Sequence, residues 1–147
     1  MFSGEDEHTM DSKGRVFIPV KHREELGDVV FIGRGMDGQI NVYPKRVWES
    51  MARRLDEEDQ ADDTIRNTRR FLFAANECEL DRQGRILIPP TMRSYAGLGT
   101  DVVIIGNKDR LEIWSRERWE ENCRQVLANA SRKNDDTEAI RKVGLSL

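Results

Sequence analysis

Hydrophobic side chains fall along this chain in short, regularly placed groups separated by polar turns. Val16, Phe17 and Ile18 stand directly before Pro19, and Ile86, Leu87 and Ile88 directly before Pro89. Apolar runs of four follow at 29–32 and 102–105, too short for a helix, and they predict buried strands. Alternation then returns, with Ile40 and Val42 sharing one face of a strand, as do Leu111 and Ile113. Each group has the same surroundings. A first short strand, at about 5–10 and 76–80, enters a turn built on Asp-x-x-Gly-Arg. Proline at a helix start is pre-set in φ and needs no donor there, so each Ile-Pro predicts a short helix. These helices run from Val20 to Leu26 and from Pro90 to Ala96, and Gly27 and Gly97 are placed to end them. Turns at Met36-Asp37-Gly38 and Asn107-Lys108-Asp109 precede the alternating strands. A longer helix opened by Pro44 has Val47, Trp48, Met51 and Leu55 on one face. Another, with Ser115 as N-cap, carries Trp119, Cys123, Val126, Leu127 and Ala130.

The chain is a tandem duplication. At an offset of 70 residues, Asp11 to Pro19 (DSKGRVFIP) falls on Asp81 to Pro89 (DRQGRILIP), and Arg23 on Arg93. Small shifts of register carry 29–33 onto 102–106, 40–43 onto 111–114, and Trp48 onto Trp119. A self-similar unit of about 45 residues is one supersecondary module used twice. The expected boundaries are 5–47 for the first domain, 48–75 for a helical linker, 76–119 for the second domain, and 120–147 for a C-terminal helix and mobile tail. Six acids in the eight residues 56–63 read as a solvated linker and helix cap. A helical stretch follows them, from Thr64 to Ala75. From Ser131 onward the sequence is polar and weakly patterned.

Composition narrows the class. Charged residues make up 35% of the 147, and the longest apolar run is four, whereas a membrane-spanning helix needs about 20. The N-terminus has neither the basic nor the apolar region of a secretory signal, so a cytoplasmic protein without a membrane role is expected. Cys78 and Cys123 are too few for a disulfide framework and lack zinc-ligand spacing. His8 and His22 read as surface residues, and Cys123 as a small buried hydrophobe. No nucleophile, metal or cofactor pattern appears, and no small-molecule substrate is implied; an enzyme is not expected. With 24 Lys and Arg against 27 Asp and Glu, the chain is slightly acidic, so any phosphate contact must come from local clustering.

That clustering sits on the duplicated turn. Asp11 and Asp81 can accept from backbone N–H groups two or three residues on. Gly14 and Gly84 permit positive φ, and Arg15 and Arg85 then leave the turn at a fixed position. Lys13 and Arg82 add charge, as do Lys21, His22, Arg23 and Arg93 on the short helices. A guanidinium is a planar fork suited to phosphate oxygens or to the guanine O6/N7 edge. One such turn alone would read as an Asp–Arg ion pair closing a hairpin. Two copies, each followed by an apolar triplet and proline, are far more specific.

The units resemble the SpoVT/AbrB swapped-hairpin domain, and the chain over about 1–125 resembles the MraZ family. The matching stretches are Gly4 to Pro19, Cys78 to Leu98 and Val102 to Trp119, with the Asp-x-x-x-Arg motif intact in both copies. The resemblance implies an α+β fold, mainly β with short helices, in which two hairpin units form a pseudo-twofold β-barrel. It implies a sequence-specific transcriptional regulator of the division and cell-wall gene cluster, cytoplasmic and nucleoid-associated. Its partners would be promoter DNA carrying direct repeats and further copies of itself in a ring. Arg15 and Arg85 would be the main DNA contacts, with Lys13 and Arg82 as helpers. The rival reading is a ring-forming scaffold or antitoxin-like interaction module with no DNA role.

Overall fold

Alternation decides which side chains face inward. In a computed structural model, residues 1–130 and 135–145 are described. The first copy supplies β1 (Glu5–Thr9), β2 (Arg15–Phe17), α1 (Val20–Leu26), β3 (Val29–Arg34) and β4 (Ile40–Pro44). Two helices, α2 (Lys45–Asp56) and α3 (Asp63–Phe73), lead to the second copy. That copy supplies β5 (Asn76–Glu79), β6 (Arg85–Leu87), α4 (Pro90–Ala96), β7 (Asp101–Asn107) and β8 (Arg110–Ser115). After it come α5 (Arg116–Ala130) and α6 (Asp135–Lys142). Residues Met1–Ser115 form one compact unit, and a second begins at Arg116, in which α5 packs with α6. Of the tail expected from Ser131, 131–134 and 146–147 lie outside the described residues, and Asp135–Lys142 is helical.

The strands exchange between copies. One six-stranded antiparallel sheet runs β1-β7-β8-β4-β3-β5, and β2 and β6 form a separate two-stranded ribbon. Swapping each element for its counterpart in the other copy reverses the six-strand order onto itself, so the arrangement is pseudo-twofold. Each copy's first strand therefore pairs with the other copy's third strand, as in a swapped hairpin. The expected closed barrel is not found among the described residues. The sheet ends on β1 and β5, and the turn at Asp11 takes the chain off it, leaving only an isolated Met10–Val16 bridge across that gap.

Val30, Ile32, Ile40, Val42, Val102, Ile104, Leu111 and Ile113 leave one face of the sheet fully buried. They meet Val16, Ile18, Ile86 and Ile88, the inward residues at the ribbon, in one core. Leu26, Met92 and Ala96 from α1 and α4 join the same core. Apolar burial of this kind supplies roughly 1.5–3 kcal/mol for each such side chain. On the opposite face of β3, Phe31 stacks on Trp48 of α2 at 4.1 Å, and Trp48 meets the edge of Phe73 of α3 at 4.9 Å. Asp62 caps α3 by accepting from the N–H groups of Thr64 (2.7 Å) and Ile65 (3.3 Å). Among the described residues no helix is long and apolar enough to cross a membrane.

Candidate nucleic-acid interface

Both motif turns close by the same bonds. Asp11 Oδ1 accepts from the N–H groups of Lys13 (3.0 Å) and Arg15 (2.9 Å), and Oδ2 accepts from Arg15 Nε at 2.6 Å. Asp81 repeats the pattern with Gln83 and Arg85 at 2.9 Å each and with Arg85 Nε at 2.7 Å. The Arg15 N–H holds the Asp11 carboxyl below its usual range, and the Arg15 side chain and Lys13 N–H add to this. Asp81 is held down likewise by Arg85 and Gln83. Gly14 and Gly84 have φ of +87° and +78°, a conformation that L side chains rarely adopt.

Each corner is also clamped by the other copy. Ile18 N–H donates to Gly84 O, and Ile88 N–H to Gly14 O, both at 2.9 Å. A Cβ on Gly14 would lie 2.8 Å from the Arg93 guanidinium, and one on Gly84 would lie 2.3 Å from that of Arg23. Arg23 Nε donates to Ile18 O at 2.8 Å. Both guanidinium groups thus pack against the corner of the other copy, and Arg23 is held in place by its bond to Ile18 O. Lys21 is engaged as well, 2.9 Å from the Asp6 carboxylate.

His22 departs from the surface role expected of it. It is only 5% exposed, stands edge-on to Phe2, and lies 3.9 Å from Asp6. Burial pushes its pKa down, with Lys21 adding to the effect while Asp6 and Glu25 oppose it. The signal was available in the sequence, since the 70-residue offset sets His22 against Met92, an apolar position in the same core.

The ribbon brings the remaining groups together. Arg15 pairs with Leu87, Val16 with Ile86, and Phe17 with Arg85. Val16 and Ile86 are sealed inside, so Arg15, Phe17, Arg85 and Leu87 share the outer face. The two arginines occupy diagonal corners of that face. Their side chains are 34% and 20% exposed, and each gives only Nε to its aspartate. Neither makes a further side-chain hydrogen bond among the described residues, which leaves both Nη groups as open forks. Lys13 and Arg82 are exposed beside them, at different positions of their turns. Among the described residues no group of His, Cys, Asp and Glu could hold a metal ion.

A palindromic sheet with a two-stranded ribbon bearing twin Asp–Arg corners defines a duplicated swapped-hairpin protein. The family model "MraZ protein, putative antitoxin-like" matches the chain twice, at residues 1–71 and 71–143. The chain belongs to the MraZ family. It is 49% identical over 127 residues to a protein of Moorella thermoacetica named Transcriptional regulator MraZ, covering 86% of this chain and 89% of the relative. A protein of the same name from Lactiplantibacillus plantarum is 47% identical over 130 residues, covering 88% and 92%. Another from Ligilactobacillus salivarius is 39% identical over the full length of both chains. These are names of regulators rather than of enzymes.

Proposed function

We propose that this chain is a DNA-binding transcriptional regulator that recognises promoter direct repeats, including those of the division and cell-wall gene cluster, as a ring of identical subunits in the nucleoid. The observation that carries the reading is the ribbon face, where two pre-aimed guanidinium forks stand on adjacent strands. A two-stranded ribbon fits the major groove of B-DNA, and bidentate arginine reads the guanine O6/N7 edge there or grips phosphate. Arg15 and Arg85 are the principal contacts, with Lys13 and Arg82 adding charge. Asp11, Gly14, Asp81 and Gly84 set the corners. Residues 1–47 carry seven basic and eight acidic groups, and 76–119 seven of each, so one subunit binds weakly. A ring engaging several repeats gains avidity of about 10² or more without a stronger single site.

An electrophoretic shift titration on repeat-bearing duplex tests this directly. Arg15→Ala and Arg85→Ala each weaken binding by about 1–3 kcal/mol, roughly 5- to 150-fold, while the assembly mass stays as in the parent. Midpoints that do not move overturn the assignment. Affinity also falls steeply with added salt, as counterions are released from phosphate, whereas a flat response favours a scaffold without a DNA role.

A further inference from the structure

The outer face of the β2–β6 ribbon carries two large apolar side chains that the fold itself does not use. Phe17 is 43% exposed and Leu87 is 53% exposed, although each lies between two fully buried neighbours. They are the same position of the duplicated unit, 70 residues apart. An outward strand position is ordinarily polar, because alternation places only the opposite face in the core. Here both copies place a hydrophobe there, on a face whose other two corners are Arg15 and Arg85. The Arg85 guanidinium lies 5.6 Å from the Phe17 ring centre, which pins ring and fork against each other.

Resting on the DNA-binding reading above, we infer that Phe17 and Leu87 are specificity-determining residues that read the C5-methyl groups of thymines in the major groove. The chemistry is selective. Thymine alone presents a methyl group on that edge, whereas cytosine presents an amino donor that an apolar tip leaves unpaired. The flanking forks make the face attractive to an anionic duplex, and the apolar tips then exclude water where the methyl groups lie. Phe17 and Leu87 sit diagonally across the ribbon, about 7–8 Å apart by strand geometry. That separation matches two base-pair steps of about 3.4 Å each, so the methyl-bearing pairs read by one ribbon are two steps apart.

The test uses the full chain and duplexes that it enriches from a random pool. The recovered duplex is resynthesised with uracil in place of thymine, which keeps every base pair and removes only the methyl groups. The parent protein binds the uracil duplex more weakly, by roughly fourfold for each methyl read and more than tenfold for two. The double variant F17A/L87A, whose fold is checked by circular dichroism and thermal melting, binds both duplexes with one affinity. Phe17→Leu keeps the discrimination. Equal binding of the two duplexes by the parent protein overturns the inference, as does a double variant that still distinguishes them. An assembly that falls apart in the double variant places the pair in a subunit contact and overturns it too. Failure to enrich any duplex defeats the DNA-binding reading itself, a separate result.

Discussion

At the scale of single residues, the corners depend on two glycines that are constrained twice over. Gly84 has φ of +78°, and a methyl group there would also displace the Arg23 guanidinium from its bond to Ile18 O. Gly84→Ala is therefore expected to cost about 1–3 kcal/mol in urea unfolding, from backbone strain alone and more with the displaced guanidinium. Gly99, with open space around it and no positive φ, is the control, and Gly99→Ala should stay near neutral. An equal effect at both sites removes the clamp. A second residue-scale expectation concerns acid. His22 has a folded pKa below its ordinary 6.5, so the unfolded chain takes up a proton first. Stability is complete above 6.5 and is lost as pH falls through the depressed folded value. Asp11 and Asp81 add a second loss, at still lower pH, because their folded values lie below the ordinary 3.8. His22→Met, which copies the residue at the matching position, Met92, is expected to abolish the first phase of a pH-dependent denaturation series and leave the second. A first phase that survives the substitution assigns it to another group.

Among the elements, what sequence could reveal depended on whether the cause was local. Pro19, Pro89, Gly27 and Gly97 act within one helical turn, and α1 and α4 begin and end where these residues require. Asp62 also acts locally. Its cap on α3 comes from the acidic run, and Asp62→Ala is expected to cost about 1 kcal/mol in a denaturant melt, with an unchanged midpoint counting against the cap. The corner geometry was legible too, because Asp, Gly and Arg at fixed spacing settle their own bonds. What stayed hidden is non-local. Arg23 and Arg93 look like isolated charge on their helices, yet each guanidinium packs against the glycine corner of the other copy. Phe17 and Leu87 read as members of apolar triplets until the β2–β6 register places them outside. Barrel closure, which is not found among the described residues, is non-local as well, since no local pattern fixes how a ribbon joins a sheet.

For the whole molecule, duplication within one chain replaces what two separate copies would otherwise do by association. The ladders β1–β7, β2–β6, β3–β5 and β4–β8 all join one copy to the other. Within the first copy only β3–β4 pairs with itself. A lone hairpin is marginal in water, and the inward residues Val16, Ile18, Val30 and Ile32 would lose most of the core they meet here. A fragment ending at residue 75 should therefore have no folded monomer. Two such fragments can supply each other's missing strands, because the strand order reads the same from either copy. The expected outcome is a concentration-dependent melt, with unfolded chain at low concentration and a dimer at high concentration in sedimentation equilibrium. Joining the copies through α2 and α3 makes that step intramolecular, so it no longer depends on protein concentration. It also frees the two corners to differ, as Lys13 against Gln83 and Phe17 against Leu87 already do. A fragment that is monomeric, cooperative and indifferent to dilution would show that each copy folds alone, and the corners would then need another source of their mutual bracing.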